Sequence, residues 1–95
     1  MSKELRKIWK EVDALLNEAR ALFSEIETGE DGFSEERFKE YLEHNELGLA
    51  LEELEGIPLY NEVPREFWQL LLKSANRMQL KDKIHEFTKT LSFYA

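Results

Sequence analysis

The sequence predicts an all-α protein, a compact single-domain bundle of four to five helices that spans residues 1–95. Apolar residues recur at steps of three and four along most of the chain, which is the spacing of one helix face. With one exception, the 4 Gly and 2 Pro residues stand between these periodic stretches, where turns are expected. A chain of 95 residues fills one hydrophobic core, so a multidomain enzyme is excluded.

The longest periodic stretch predicts the first helix. Ten apolar side chains between Leu5 and Ile26 fall on one stripe of a helix. Ser2 is suited to cap its start, and Gly29 with Gly32 ends the pattern. We therefore expect one long helix that reaches Ile26.

A turn followed by a second helix is predicted from the segment GEDGFSEERF. Ser34 fits the N-cap, and two glutamates follow it in the first turn, where carboxylates suit the helix dipole. Phe33 and Phe38 occupy the two positions of a hydrophobic staple. The helix is expected to run to about His44.

A short third helix is predicted from Glu46 to about Glu55, with Asn45 as its cap. One of its faces is apolar and comprises Leu47, Ala50, Leu51 and Leu54. Leu49 falls on the opposite side, and Gly48 is unusual because glycine inside a helix costs about 1 kcal/mol relative to alanine. Either the helix is buried on two sides and Gly48 permits close packing, or Leu49 is exposed among carboxylates as part of a docking surface.

The last third of the chain predicts one or two further helices. Gly56 closes the third helix, and the segment IPLYNEV forms an ordered loop before Pro64, which suits the first turn of the fourth helix. A fifth helix starts at about Asp82, and only RMQLK separates it from the fourth, so the two are either distinct or continuous. Nine residues are predicted to be buried: Trp9, Leu16, Phe23, Phe38, Leu51, Leu54, Phe67, Leu71 and Ile84.

The sequence lacks the residues and motifs that several kinds of catalytic or metal site require. The chain has no cysteine, so disulfides, thiolate zinc sites and cysteine nucleophiles are excluded. It carries neither a glycine-rich phosphate loop nor a supported Ser-His-Asp arrangement, and its two histidines, His44 and His85, have no metal-ligand spacing. If Gly32 is set at the sixth position of an EF-hand loop, Phe38 falls at the twelfth, where a bidentate carboxylate is required. We expect no enzyme activity, no cofactor and no metal.

The N-terminal segment MSKELRKIWKEV lacks the apolar stretch of a signal peptide, and no apolar run approaches the length of a membrane span. A cytoplasmic protein without a membrane partner is the expectation. The formal net charge of −7 argues against a nucleic-acid partner, because phosphate binding needs a basic surface. It favours a basic protein partner, or reflects solubility alone.

Acidic residues are concentrated in the middle of the chain. Residues 29–63 hold 11 of the 20 acidic residues and only 2 of the 13 basic ones. Tyr60 is a further candidate for a contact there, since tyrosine is favoured at interfaces. The candidate binding residues are Glu46, Leu49, Glu52, Glu53, Glu55, Tyr60 and Glu62. Charge reversal of Glu52 and Glu53 together is expected to weaken binding and to leave the fold intact. If this surface is not used, the next candidate lies around Trp68 and Leu72.

The segments HNELGLALEEL and EFWQLLLKSANRMQL resemble the MafI-type immunity proteins, a group that includes immunity proteins of contact-dependent growth inhibition systems. The matching positions are the run from Leu47 to Glu52, Leu54, and Met78 with Leu80, within about residues 38–80. The chain differs from the family pattern at Asn45, where glycine is expected, and at Glu55, where many members carry cysteine.

The resemblance implies a small helical protein that binds a cognate toxin domain and blocks its activity. Toxins paired with such proteins are often RNA-cleaving nucleases, including those of the EndoU type. Nuclease active sites present cationic surface to phosphates, and an acidic segment is able to occupy such a surface. The alternative is a non-catalytic helical adaptor or regulatory module that binds a cellular protein. The oligomeric state is left open.

Overall fold

The computed structural model describes residues 2–94, and within them the chain is all-helical, as predicted. The Cα radius of gyration is 13.0 Å, which is the value expected of a folded domain of this size. Residues 2–94 form five separate α-helices, so the fourth and fifth are distinct. They are α1 (Lys3–Arg20), α2 (Glu35–Glu43), α3 (Leu47–Leu54), α4 (Arg65–Met78) and α5 (Lys81–Leu91), with a short 3₁₀ helix at Ile57–Leu59.

Two helices organise the packing. α4 packs against α1 and against α5, while α3 packs against α2 and α1 and touches α4 more lightly. The apolar faces of these helices meet in one core. Its fully buried members include Val12, Leu16, Phe38, Leu51, Leu54, Ile57, Phe67, Leu71, Ala75 and Phe87.

The predicted continuation of α1 to Ile26 is wrong, because the helix ends at Arg20. The N–H groups of Leu22 and Phe23 each bond to a carbonyl three residues back at 3.3 Å, which is the tighter 3₁₀ pattern. The Arg20 guanidinium then donates to the Phe23 carbonyl oxygen at 3.0 Å. The apolar spacing nevertheless continues beyond the helix, since Leu22, Phe23 and Ile26 remain partly buried against the core.

The predicted starts of the first two helices are confirmed. Ser2 Oγ accepts from the Leu5 N–H at 3.2 Å, and Ser34 Oγ accepts from the Arg37 N–H at 3.3 Å. The rings of Phe33 and Phe38 form the staple, with centroids 5.8 Å apart. Local cap chemistry thus sets both helix starts.

Asn45 has a different role from the predicted one. It follows the last turn of α2 in the left-handed conformation, with φ at 56°. The Asn45 N–H bonds to the Leu42 carbonyl at 3.1 Å, and the Glu46 N–H bonds to the Tyr41 carbonyl at 2.8 Å. This is a Schellman motif, in which asparagine is tolerated where glycine is usual. Glu46 is therefore the N-cap of α3, and its side chain makes no capping bond to the described residues.

The break between α4 and α5 has the same form. Gln79 lies in the left-handed region at φ 56°, and the Leu80 N–H bonds to the Ala75 carbonyl at 3.0 Å. Pro64 stands at the N-cap of α4, one residue before the first turn in which it was expected. The predicted ordered loop between Gly56 and Pro64 contains the 3₁₀ helix.

Six of the nine predicted core residues are buried, and three are only partly buried. Trp9 belongs to the first half of α1, where residues 2–7 are all exposed. Phe23 lies in the loop after α1, and Ile84 lies on α5, whose one fully buried apolar side chain among the described residues is Phe87. The prediction was wrong for these three because apolar spacing identifies the inward side of a helix. It does not show how completely the surrounding elements cover that side.

Candidate binding surface on α3

The two sides of α3 differ completely in exposure. Leu47, Ala50, Leu51 and Leu54 are buried, at 0–5% exposure. On the opposite side Leu49 is 43% exposed, and Glu46 and Glu52, three residues before and after it, are exposed as well. Residues three apart are neighbours on a helix surface, so Leu49 stands between two carboxylates. Of the two interpretations of this helix, the structure supports the exposed leucine.

Gly48 does not serve close packing. A Cβ atom built on it would meet no heavy atom of the described chain within 4 Å, once the helix's own nearby backbone is set aside. Its φ is not positive either, so the backbone conformation does not require glycine. The predicted close-packing role is therefore wrong, and α3 is buried on one side.

Glu53 stabilises the fold, although the sequence placed it among the binding residues. Its carboxylate accepts from the Ser34 N–H at 2.8 Å and from Arg37 Nε and Nη2 at 3.1 and 3.2 Å. The side chain is only 10% exposed. This carboxylate stands at the positive end of α2 and ties α3 to it. Charge reversal of Glu53 would disrupt that junction, so it is not a clean test of binding.

Glu55 is also occupied by an intramolecular partner. Lys83 Nζ on α5 lies 2.8 Å from Glu55 Oε2, and both side chains are about one quarter exposed. Burial raises the pKa of the Glu55 carboxyl despite this lysine, and the neighbouring Glu86 and Glu52 raise it further. Burial by itself would lower the pKa of Lys83, but the pKa is raised overall because Glu55, Glu86 and Glu52 favour the charged form. This ion pair joins the C-terminal end of α3 to α5.

Tyr60 and Glu62 lie away from α3, in the loop before α4. Tyr60 is 45% exposed, but its hydroxyl donates to the Glu30 carbonyl at 2.7 Å. Its ring covers the turn at Gly29 and Gly32, where an added Cβ would lie 2.5 and 3.0 Å from ring atoms. Tyr60 thus holds two loops together, while Glu62 is exposed.

Asn61 joins the same two loops, a role that was not predicted from the sequence. Its side-chain amide donates to the Glu27 carbonyl at 2.9 Å, and its carbonyl oxygen accepts from the Glu27 N–H at 2.8 Å. A further bond runs from the amide to the Ile57 carbonyl at 2.9 Å. An asparagine in a loop is too common for this pairing to be read from spacing alone.

The surface around Trp68, the second candidate from the sequence, is largely internal. Trp68 Nε1 donates to Tyr94 Oη at 2.9 Å, and its ring lies 5.2 Å from that of Phe67 and 5.8 Å from that of Phe87, between centroids. Trp68 and Leu72 are both partly buried against the core. The exposed candidates are accordingly Glu46, Leu49 and Glu52 on α3, with Tyr60 and Glu62 separate from them in the chain.

Within residues 2–94, no group of three or more His, Asp or Glu side chains is arranged to hold a metal ion. His44 and His85 are both exposed. None of the helices described here combines the length and the apolarity needed to cross a membrane. Calcium independence stays a prediction.

Comparison with known proteins gives no match: no family model, no curated protein and no solved structure is similar to this chain.

Proposed function

We propose that this is an immunity protein that binds and neutralises a cognate bacterial toxin domain, most simply a basic nuclease that cleaves RNA. The observation that carries the proposal is the exposed side of α3. There Leu49 is 43% exposed between Glu46 and Glu52, neither of which forms an ion pair with a described residue. An apolar anchor flanked by available carboxylates is suited to a basic protein surface.

The resemblance to MafI-type immunity proteins points to the same helix as the binding element. Its run from Leu47 to Glu52 lies within α3, so the segment that carries the resemblance also carries the exposed leucine. The buried half of that run explains the fold, while Leu49 and Glu52 are left for a partner. This agreement favours an immunity protein over a general adaptor.

Inhibition by direct binding follows from charge and shape. Carboxylates attract a cationic active site over distances of up to about 8–10 Å at physiological salt, which raises the association rate. Once the two proteins touch, Leu49 loses its contact with water and the flanking carboxylates occupy positions that substrate phosphates would take. Exposed pairs are worth less than about 1 kcal/mol each, so the desolvated leucine is expected to supply much of the affinity.

The proposal predicts that a toxin gene lies beside the gene for this protein, and co-expression of the two in bacteria tests it. The wild-type protein should restore growth and bind the purified domain, with association that slows as salt rises. The double variant Glu46→Lys/Glu52→Lys should weaken binding by at least about tenfold, equivalent to about 1.4 kcal/mol. Leu49→Ala should speed dissociation, because it removes the anchor and leaves the charges.

Glu18→Lys is the matched control, since Glu18 is exposed on α1 and forms no ion pair with a described residue. It should protect cells and bind as the wild type does. Circular dichroism of each variant checks that the helices persist. Unchanged affinity and salt dependence in the double variant would show that the exposed side of α3 is only solvated. Failure of the wild-type protein to bind or protect, together with capture of a purified host protein, would favour the adaptor.

A further inference from the structure

Gly48 costs stability without giving any to the fold. Glycine in a helix is less stable than alanine by about 0.5–1 kcal/mol. The two usual reasons for keeping it, a positive φ and a close packing contact, are both absent at this position among the described residues. A missing side chain that serves no internal contact leaves space for an external one.

The space beside Gly48 is a groove between α3 and the start of α5. Its volume is about 480 Å³, and its lining includes Gly48, Glu52, Leu80 and Asp82. A side chain longer than alanine at position 48 would project into this groove, whereas glycine leaves the helix backbone accessible. This volume exceeds that of one long amino-acid side chain.

The charges around the groove favour a cationic occupant. Glu52 and Asp82 line it and form no ion pair with a described residue. Lys83 also lines it, but its ammonium is engaged by Glu55 at 2.8 Å and Glu86 at 3.6 Å. Lys81 adds one exposed cation at the edge, so the lining charges that form no ion pair with a described residue are two carboxylates and one ammonium.

We infer that this groove receives an arginine or lysine side chain of the protein that binds α3, with Glu52 and Asp82 as its carboxylate partners. The inference rests on the proposed function for the identity of that protein as a basic toxin domain. Gly48 then lets the stem of the incoming side chain approach the helix backbone. Leu49, which does not line the groove, remains exposed on the next residue of α3 for a separate contact with the same protein.

The blocked tripeptide acetyl-Gly-Arg-Gly-amide is a direct probe of the groove. Titrated into the ¹⁵N-labelled full-length protein, it should shift the amide signals of Gly48, Glu52 and Asp82 more than those of exposed glutamates on α2. The matched peptide with Glu in place of Arg should not produce these shifts. Glu52→Gln and Asp82→Asn should each weaken binding of the arginine peptide by about two- to fivefold.

Gly48→Gln fills the groove with an uncharged helix-forming side chain, and Gly48→Ala is its smaller control. Gly48→Gln should abolish the localised shifts, and in co-expression it should protect cells less well than Gly48→Ala. Shifts spread evenly over all acidic residues, or equal shifts with the glutamate peptide, would overturn the inference. So would full protection by a Gly48→Gln protein that no longer binds the peptide.

These outcomes separate the groove from the proposed function. A wild-type protein that protects cells but does not bind the arginine peptide refutes the groove and leaves the immunity function standing. Localised peptide binding by a protein that does not protect against the neighbouring toxin supports the groove and refutes that function. Retained helix signals in circular dichroism distinguish loss of the groove from loss of the fold.

Discussion

Replacing Gly48 with alanine should stabilise the protein. The added methyl group meets no described heavy atom within 4 Å, so it costs no packing strain. It also restricts the unfolded chain, and the two effects together are worth about 0.5–1 kcal/mol. For a domain of this length, that gain raises the melting temperature by roughly 2–8 °C.

Gly56 provides the opposite control. A Cβ there would lie 2.8 Å from the Phe33 backbone nitrogen and 3.0 Å from the Gly32 carbonyl carbon, and backbone atoms do not move aside as a flexible side chain does. Gly56→Ala should therefore destabilise the protein by at least about 1 kcal/mol. Urea and thermal unfolding followed by circular dichroism would measure both variants. A Gly48→Ala protein that is less stable than wild type would refute the reasoning, because it would reveal a structural role for that glycine.

Three further outcomes are expected. Glu53→Ala should lower the free energy of unfolding by about 1–3 kcal/mol, measured in urea, because the Ser34 N–H loses its acceptor; a change below about 0.5 kcal/mol would contradict this. Because burial raises the pKa of Glu55 above its ordinary value of 4.5, folding favours the protonated carboxyl, and that favourable contribution is lost as the pH rises through the folded-state pKa. Wild type should thus gain stability relative to Glu55→Gln as the pH falls from about 7 toward 4.5, and a difference that does not vary with pH would argue against the assignment. Millimolar calcium should leave the melting temperature unchanged, whereas a chelator-reversible rise would indicate a metal site.

The starts of α1 and α2 were predictable because their capping chemistry is local. Ser2 and Ser34 each accept from an N–H three residues ahead, within the span that sequence patterns cover. The end of α1 was not predictable in the same way. Leu22, Phe23 and Ile26 keep the helical spacing and are partly buried, yet they follow the helix in a loop. Periodicity reports which side chains face the core, and a loop that lies along the core satisfies it equally well.

In the candidate site too, features set by local spacing were predictable, and features set by helix packing were not. The position of Leu49 opposite the buried face of α3 follows from sequence spacing alone, whereas its exposure depends on which elements pack against that side. The ion pairs of Glu53 with Arg37 and of Glu55 with Lys83 depend on how α3 packs against α2 and on where α5 begins. No count of charges distinguishes a carboxylate that holds two helices together from one that is available to a partner. The groove beside Gly48 was missed for this reason, since one of its walls comes from α5.

The attachment of α5 has a consequence for motion. This helix packs extensively on α4, whereas its ion pair from Lys83 to Glu55, at 2.8 Å, links it to the end of α3. Separation of α5 from α3 therefore disrupts fewer contacts than separation of α5 from α4. Segments with few buried contacts open before the whole domain unfolds, and their amide hydrogens exchange with solvent first. The two walls of the groove are thus less extensively joined to each other than α5 is to α4. A side chain that bridges Glu52 and Asp82 would join α5 to α3. Binding in the groove would then be detected as slower amide hydrogen exchange in α5.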